Sequence, residues 1–258
     1  MAKGMPGADS STLVTSVIDG KNLVDLAKDL FGPQKPVVWG RYFTSATTSG
    51  TVEYRHLKEN QLLRDNNIRV LPIARQTKRV NGSAADGSAD ATANTEDLIQ
   101  TFGADYLATQ GGQVVMFLDV EGAPSLSVGY YQGWAGTLVT HSKNFSSGKV
   151  TILPCVYGTR FDDDTWQAVV DAVRQPGIEF HGAWIARWRV RGCGELLDFD
   201  EALVRPNVFP ASFKVLLWQY GDDCHGPDGF DLDETNPDID LQQDLLSKCI
   251  LPPETPMS

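Results

Sequence analysis

Chemistry in this 258-residue chain starts with Asp119 and Glu121, which close the apolar run Val114-Val115-Met116-Phe117-Leu118. Side chains at i and i+2 of a strand point the same way, so the two carboxylates converge on one spot. The run before them is too short for a membrane span and reads as a strand buried on both faces, as in a parallel sheet covered by helices. Gly122 and Pro124 then turn the chain. A deep strand that stops in paired acids is costly unless the acids have a task. In a (β/α)8 barrel that task is performed at the C-terminal strand ends. The plainer alternative stays open at this point: Asp119 caps a helix or pairs with an arginine, and Glu121 is merely solvated.

The elements that would position this pair alternate along the chain. Strands are expected at 13–18, 36–43, 68–74, in the run ending at Asp119, and at 149–157, 180–188, 213–220 and 238–241. Helices are expected at 22–31, 54–65, 95–108, 127–145 and 164–174, with a closing helix beginning near 245. The first has Leu23, Leu26, Ala27 and Leu30 on one face and stops at Gly32-Pro33. Residues 78–94, rich in Gly, Ala, Ser, Asp and Asn, read as a long loop, either disordered or a lid over the strand ends. Tyr130, Tyr131 and Trp134 at helical spacing read as core contacts, and the acidic triplet 162–164 as a helix cap. The rhythm gives the α/β class and a single irregular (β/α)8 TIM-type barrel over 13–250, between a flexible N-terminus (1–12) and a tail (251–258). A doubly wound sheet is the alternative. The connections between the last three strands are poor in helix, hence the irregularity.

Composition narrows the classes. With 41% hydrophobic and 21% charged residues this is ordinary globular material, and the net charge of −11 argues against nucleic acid or an anionic membrane as partner. No apolar run reaches the roughly 18 residues of a spanning helix, so no membrane insertion is expected. The first dozen residues lack the apolar core of a secretory signal. The four cysteines, Cys155, Cys193, Cys224 and Cys249, show no C-x-x-C spacing, and no zinc site is expected. Cys155 reads as a buried thiol. Cys193 and Cys224 lie in Gly-rich loops that could meet, a pairing that sequence leaves open. His56, His141, His181 and His225 are scattered, so metal-dependent hydrolysis by the acids is the weakest option, and no metal or cofactor is expected.

The expected strand ends collect Asp19, Asp119, Glu121 and Asp240, with Arg41, Tyr42, Gln76, Tyr157, Trp184, Arg187, Trp218, Gln219 and Tyr220 at or near the others. Acids among Trp, Tyr and Gln describe a sugar site, in which aromatic faces pack on pyranose C–H groups while carboxylates and amides bind hydroxyls. Asp19, Asp119-Val120-Glu121, Leu217-Trp218-Gln219-Tyr220 and Ile239-Asp240-Leu241-Gln242 together resemble glycoside hydrolase family 25, the lysozyme-type muramidases. Trp39-Gly40-Arg41-Tyr42 and Tyr130-Tyr131-Gln132-Gly133-Trp134 resemble still more the uncharacterised glycoside-hydrolase-like domains (domain of unknown function 1906).

That resemblance covers nearly the whole chain and implies an irregular barrel that cleaves an N-acetylated glycan, with peptidoglycan the leading substrate. It implies Glu121 as general acid/base and Asp119 as the residue orienting the N-acetyl group, whose carbonyl oxygen attacks the anomeric carbon. Asp19 and Asp240 would flank the reacting sugar. Gln242 departs from the usual Asn of the muramidases, which bears on the substrate more than on the fold. The compartment stays open, with a place outside the cytoplasm suggested by such a substrate, and a monomer is expected. The competing class is a catalytically silent barrel that binds a wall glycan or a protein partner.

Overall fold

The computed structural model describes residues 2–43, 54, 56–75, 78–121 and 124–254. Its strands are β1 (Pro6–Asp9), β2 (Val38–Phe43), β3 (Arg69–Ala74), β4 (Gln113–Asp119), β5 (Thr151–Thr159), β6 (Gly182–Arg191), β7 (Val215–Cys224) and β8 (Phe230–Thr235). They form a closed barrel in that order, and the outer layer holds helices α1 (Leu23–Phe31), α2 (His56–Asp65), α3 (Ala84–Phe102), α4 (Ala104–Thr109), α5 (Val128–Phe145), α6 (Asp163–Ala172) and α7 (Glu201–Val204). This is the irregular α/β barrel that the alternating pattern implies. β1 to β7 run parallel, whereas β8 is antiparallel to both β7 and β1. Residues 225–229 alone join β7 to β8, and a parallel return would need a crossover of about a dozen residues. The first residues of β8 therefore sit at the mouth where the other strands end.

Several expected elements differ. Of residues 13–18 only Val17–Ile18 is extended, in a small hairpin with Lys21–Asn22. Asp19 (φ 51) and Gly20 (φ 81) form its turn, both left-handed as such a two-residue turn requires. The first barrel strand is instead Pro6–Asp9, inside the segment expected to be a flexible terminus. Residues 238–241 are no strand: Asp240 caps a short helical turn, Leu241–Leu245, and the eighth strand lies earlier, at Phe230–Thr235.

The expected loop at 78–94 is largely the first half of α3. Ser83 caps it, accepting from Asp86 N while Asp86 accepts from Ser83 N, a reciprocal capping box. The small residues that resembled a linker instead let α3 pack tightly on α5: a Cβ at Gly133 would lie 1.9 Å from the Ala84 carbonyl oxygen. Tyr130 and Trp134 are core residues, as their spacing implies, and they reach across this contact. Tyr130 Oη donates to Asp90 (2.6 Å) and Trp134 Nε1 to Asn94 (3.1 Å), so these two buried polar residues of α3 have partners in the core. Asp162 caps α6, as the acidic triplet suggests.

Alternation along the strands sorts lumen from outer face. Leu71 and Ile73 of β3, Val115 and Phe117 of β4, Cys155 and Tyr157 of β5, Trp184 of β6 and Leu217 of β7 pack in one inner cluster, with Leu245 and Cys249 also in it. Their strand neighbours Val70, Ala74, Val114, Met116, Leu118, Val156, Ile185 and Trp218 belong to the outer cluster under the helices. The inner row continues to Asp119 on β4, Asp9 on β1, Gln219 on β7, and Asp231 and Asp233 on β8.

Candidate active site

Glu121 follows β4 at the barrel mouth. The ladder runs one residue past Asp119, with Val120 N donating to the Tyr157 carbonyl at 2.9 Å. Asp119 Oδ1 then accepts from Glu121 N at 3.0 Å, and Tyr157 Oη donates to Glu121 Oε2 at 2.6 Å. Burial pushes the Glu121 carboxyl up to about 7, against the Tyr157 hydrogen bond that favours its ionised form and with help from the charges of Asp231 and Asp222. Tyr157 is in turn fixed by stacking on Trp184, ring centroids 4.4 Å apart.

Beside this pair, β1, β7 and β8 bring three more acids together. The β1–β8 register sets Asp9 opposite Asp231, and the β8–β7 register sets Asp233 opposite Gln219. The Gln219 amide donates to Asp9 Oδ2 (3.0 Å) and Asp231 Oδ2 (3.1 Å), and its oxygen accepts from Trp188 Nε1 (2.7 Å). Trp184 Nε1 donates to Asp233 Oδ1 at 2.9 Å. Gly40 makes room for the cluster, since a Cβ there would lie 2.6 Å from the Asp9 Cβ and 2.8 Å from the Trp184 ring. Burial first, then the charge of Asp231, raises the Asp9 carboxyl well above the carboxylate range; burial, then Asp9 and Asp231, does the same for Asp233. Asp231 is pushed up to about 6, mainly by burial. Tyr42, facing these carboxyls from β2, is raised by burial and by Asp119 and Asp9. The arrangement holds several carboxyl groups ready to carry protons near neutral pH.

A cleft of about 450 Å³ opens next to Glu121, lined also by Thr159, Phe161, Ala186, Arg187, Trp188 and Arg189. Phe161 and Trp188 are 71% and 53% exposed, unusual for rings of that size and suited to stacking on a flat apolar ligand face. A disulfide joins Cys193, just beyond β6, to Cys224 at the end of β7 and braces the arm that carries Trp188 and Arg189. It settles the pairing that the sequence leaves open. Cys193, Cys224 and His225 are close enough to resemble a metal site, but the two sulfurs are bonded to each other and are not thiolate ligands.

The residues singled out from the sequence divide sharply. Asp119, Glu121, Tyr42, Tyr157, Trp184 and Gln219 meet at the barrel mouth, and Arg187 lines the adjoining cleft. Asp19 does not join them: it is an exposed turn residue of the small hairpin. Asp240 lies at the opposite end of the barrel, where its carboxylate accepts from Gln243 N and β7 begins. Arg41 is on the outer face of β2, fully buried and paired with Glu59 of α2 at 2.9 Å. Trp218 and Tyr220 fall in the outer phase of β7, where Trp218 Nε1 donates to the Arg187 carbonyl. Gln76 lies outside the described residues. Asp9, Asp231 and Asp233 are the acids that sequence reading passes over. The i, i+2 spacing of Asp231 and Asp233, the same as in Asp119-x-Glu121, was the signal available.

No family model matches the chain, and no curated protein matches it. Among solved structures it is similar to an uncharacterized protein of B. stearothermophilus, at 20% identity and a TM-score of 0.67, over 95% of this chain and 100% of that one. It is also similar to the bacterial lysozyme from Streptomyces coelicolor, at 17% identity and a TM-score of 0.50, over 96% of this chain and 99% of that one. At such identities the likeness is one of fold.

Proposed function

We propose that this chain is a glycoside hydrolase of an N-acetylated glycan, with peptidoglycan its leading substrate, and that it is akin to the lysozyme-type barrels and the glycoside-hydrolase-like domains of its sequence resemblance. The observation that carries the reading is Glu121: a carboxyl pushed up to about 7, held by Tyr157 at the mouth of a barrel beside a cleft with two exposed aromatic rings. The fold shared with a bacterial lysozyme supports it.

In the proposed reaction protonated Glu121 gives its proton to the glycosidic oxygen as the bond to the anomeric carbon breaks. The N-acetyl carbonyl oxygen of the same sugar closes on that carbon, with Asp119 orienting the amide. Glu121, now ionised, takes a proton from the water that reopens the ring, and the acid is restored. Asp9, Asp231 and Asp233, joined through Gln219 and Trp184, line the floor of this site and bind sugar hydroxyls.

The test is hydrolysis of purified peptidoglycan by wild type and Glu121→Gln, with reducing-end and mass analysis of the fragments. Release of muramic-acid reducing ends by wild type, reduced about 10³-fold or more in the variant, is the expected result. Equal binding of wall fragments by both proteins with cleavage by neither would replace the enzyme with a glycan-binding barrel.

A further inference from the structure

We propose that the cleft beside Glu121 is an oxyanion subsite in which Arg187 and Arg189 receive a carboxylate or phosphate carried on the glycan; the idea rests on the glycan reading above. The chain is acidic as a whole, with 22 Lys and Arg against 33 Asp and Glu. Against that average, the outer part of β6 reads Arg187-Trp188-Arg189-Val190-Arg191. The register of β6 on β7 jumps from Ala186 opposite Gln219 to Val190 opposite Gly221. Residues 187–189 therefore bulge from the ladder, and Arg187, Trp188 and Arg189 all line the cleft rather than alternating across the sheet.

Arg189 is exposed on the cleft wall, and the Arg187 guanidinium is anchored beside it. The Arg187 guanidinium lies 5.5 Å over the exposed Phe161 ring, with Arg160 5.7 Å from the same ring and fixed by Asn207 at 2.8 Å. Arg187 donates to the Leu203 carbonyl, which anchors its long side chain. Among the described residues, neither Arg187 nor Arg189 has a carboxylate within ion-pair distance, although acids outnumber bases in this chain. A guanidinium fork matches the two oxygens of a carboxylate or phosphate, and Phe161 and Trp188 offer flat apolar faces to a pyranose ring. The combination selects a sugar bearing an anionic substituent over a neutral amino-sugar polymer such as chitin.

The test is calorimetric binding to the Glu121→Gln protein, which separates recognition from turnover. Three probes are used: an alternating N-acetylglucosamine and N-acetylmuramic acid tetrasaccharide with free lactyl carboxylates, the same chain with those carboxylates amidated, and a chitin tetrasaccharide carrying a 6-phosphate. The carboxylate form is expected to bind about tenfold tighter than the amide, the gain of ~1.4 kcal/mol of one charge-assisted contact. Adding Arg189→Gln brings the ratio to within about twofold, and Arg189→Glu reverses the preference. If the phosphate probe binds tightest and shows the same dependence on Arg189, the subsite is assigned to phosphate rather than carboxylate. A ratio near one before any arginine is changed, or a ratio indifferent to Arg189, overturns the subsite while leaving the glycan reading intact. Failure of all three probes to bind overturns both.

Discussion

Tyr157 Oη donates to Glu121 Oε2 at 2.6 Å, so the proposed acid is opposed by the neighbour that holds it in place. The phenol favours the carboxylate, whereas burial favours the protonated form and prevails, leaving the group at about 7. Tyr157→Phe removes the opposing contribution without emptying the stack on Trp184. A hydrogen bond to a charged group contributes on the order of 1.5 kcal/mol, or about one pH unit. The alkaline limb of the kcat/KM profile for glycan hydrolysis is therefore expected to move up by about one pH unit. An unmoved or lowered limb would separate the bond from the acid's ionisation.

The buried acids also fix the sign of stability against pH. Asp9 and Asp233 are raised well above the carboxylate range, Asp231 to about 6, and Glu121 and Glu234 to about 7. Between about pH 4 and 7 the folded chain binds more protons than the unfolded one, so stability is full below the ordinary carboxylate range and is lost as pH rises. His181, held below its usual value by burial, works the other way over part of that window but is a single group. Thermal unfolding should therefore show a lower Tm at pH 8 than at pH 5. Asp233→Asn, which keeps the shape and removes one carboxyl, should flatten that slope.

The fold was legible where residue type and phase agree. The uninterrupted run 114–118 admits one reading as a buried strand, and Asp119 and Glu121 inherit their position from it. β1 is four residues, Pro-Gly-Ala-Asp, with no apolar run to announce it, so Asp9 was hidden among small residues that look like a loose terminus. Asp231 and Asp233 were hidden by charge: a strand whose inner row is acidic resembles a solvated loop until its antiparallel pairing is seen. Arg41, Trp218 and Tyr220 have residue types common in sugar sites, but one step of phase puts them outside the barrel. The β7 phase could have been counted from Leu217, which shares its face with Gln219.

The disulfide between Cys193 and Cys224 closes a loop of sequence separation 31 and ties the outer end of β6 to the end of β7. Constraint of the unfolded chain by a loop of this length contributes about 3–4 kcal/mol, or roughly 10 °C in Tm. Cys155 and Cys249 are free thiols, so a mild reductant has the Cys193–Cys224 bond, exposed on its Cys193 side, as its target. Calorimetry with and without reductant should show that loss in wild type and no further loss in the Cys193→Ser/Cys224→Ser variant. Binding of wall fragments should weaken in step, because the braced arm carries Trp188 and Arg189.

Arg41 separates a structural role from a sugar contact. Its guanidinium pairs with Glu59 at 2.9 and 3.0 Å, both side chains fully buried, and it also donates to the Ser10 carbonyl next to Asp9. Arg41→Leu removes the cation from one side of this buried pair, a loss of about 3–5 kcal/mol, and loosens the backbone that carries Asp9. Thermal unfolding is expected to fall by about 10 °C. Arg41→Leu/Glu59→Leu, which removes both charges together, should recover most of that, because breaking a buried ion pair from one side costs more than replacing both partners with apolar groups. Were Arg41 a direct sugar ligand, the single variant would instead keep its Tm and raise KM, and the second substitution would restore nothing.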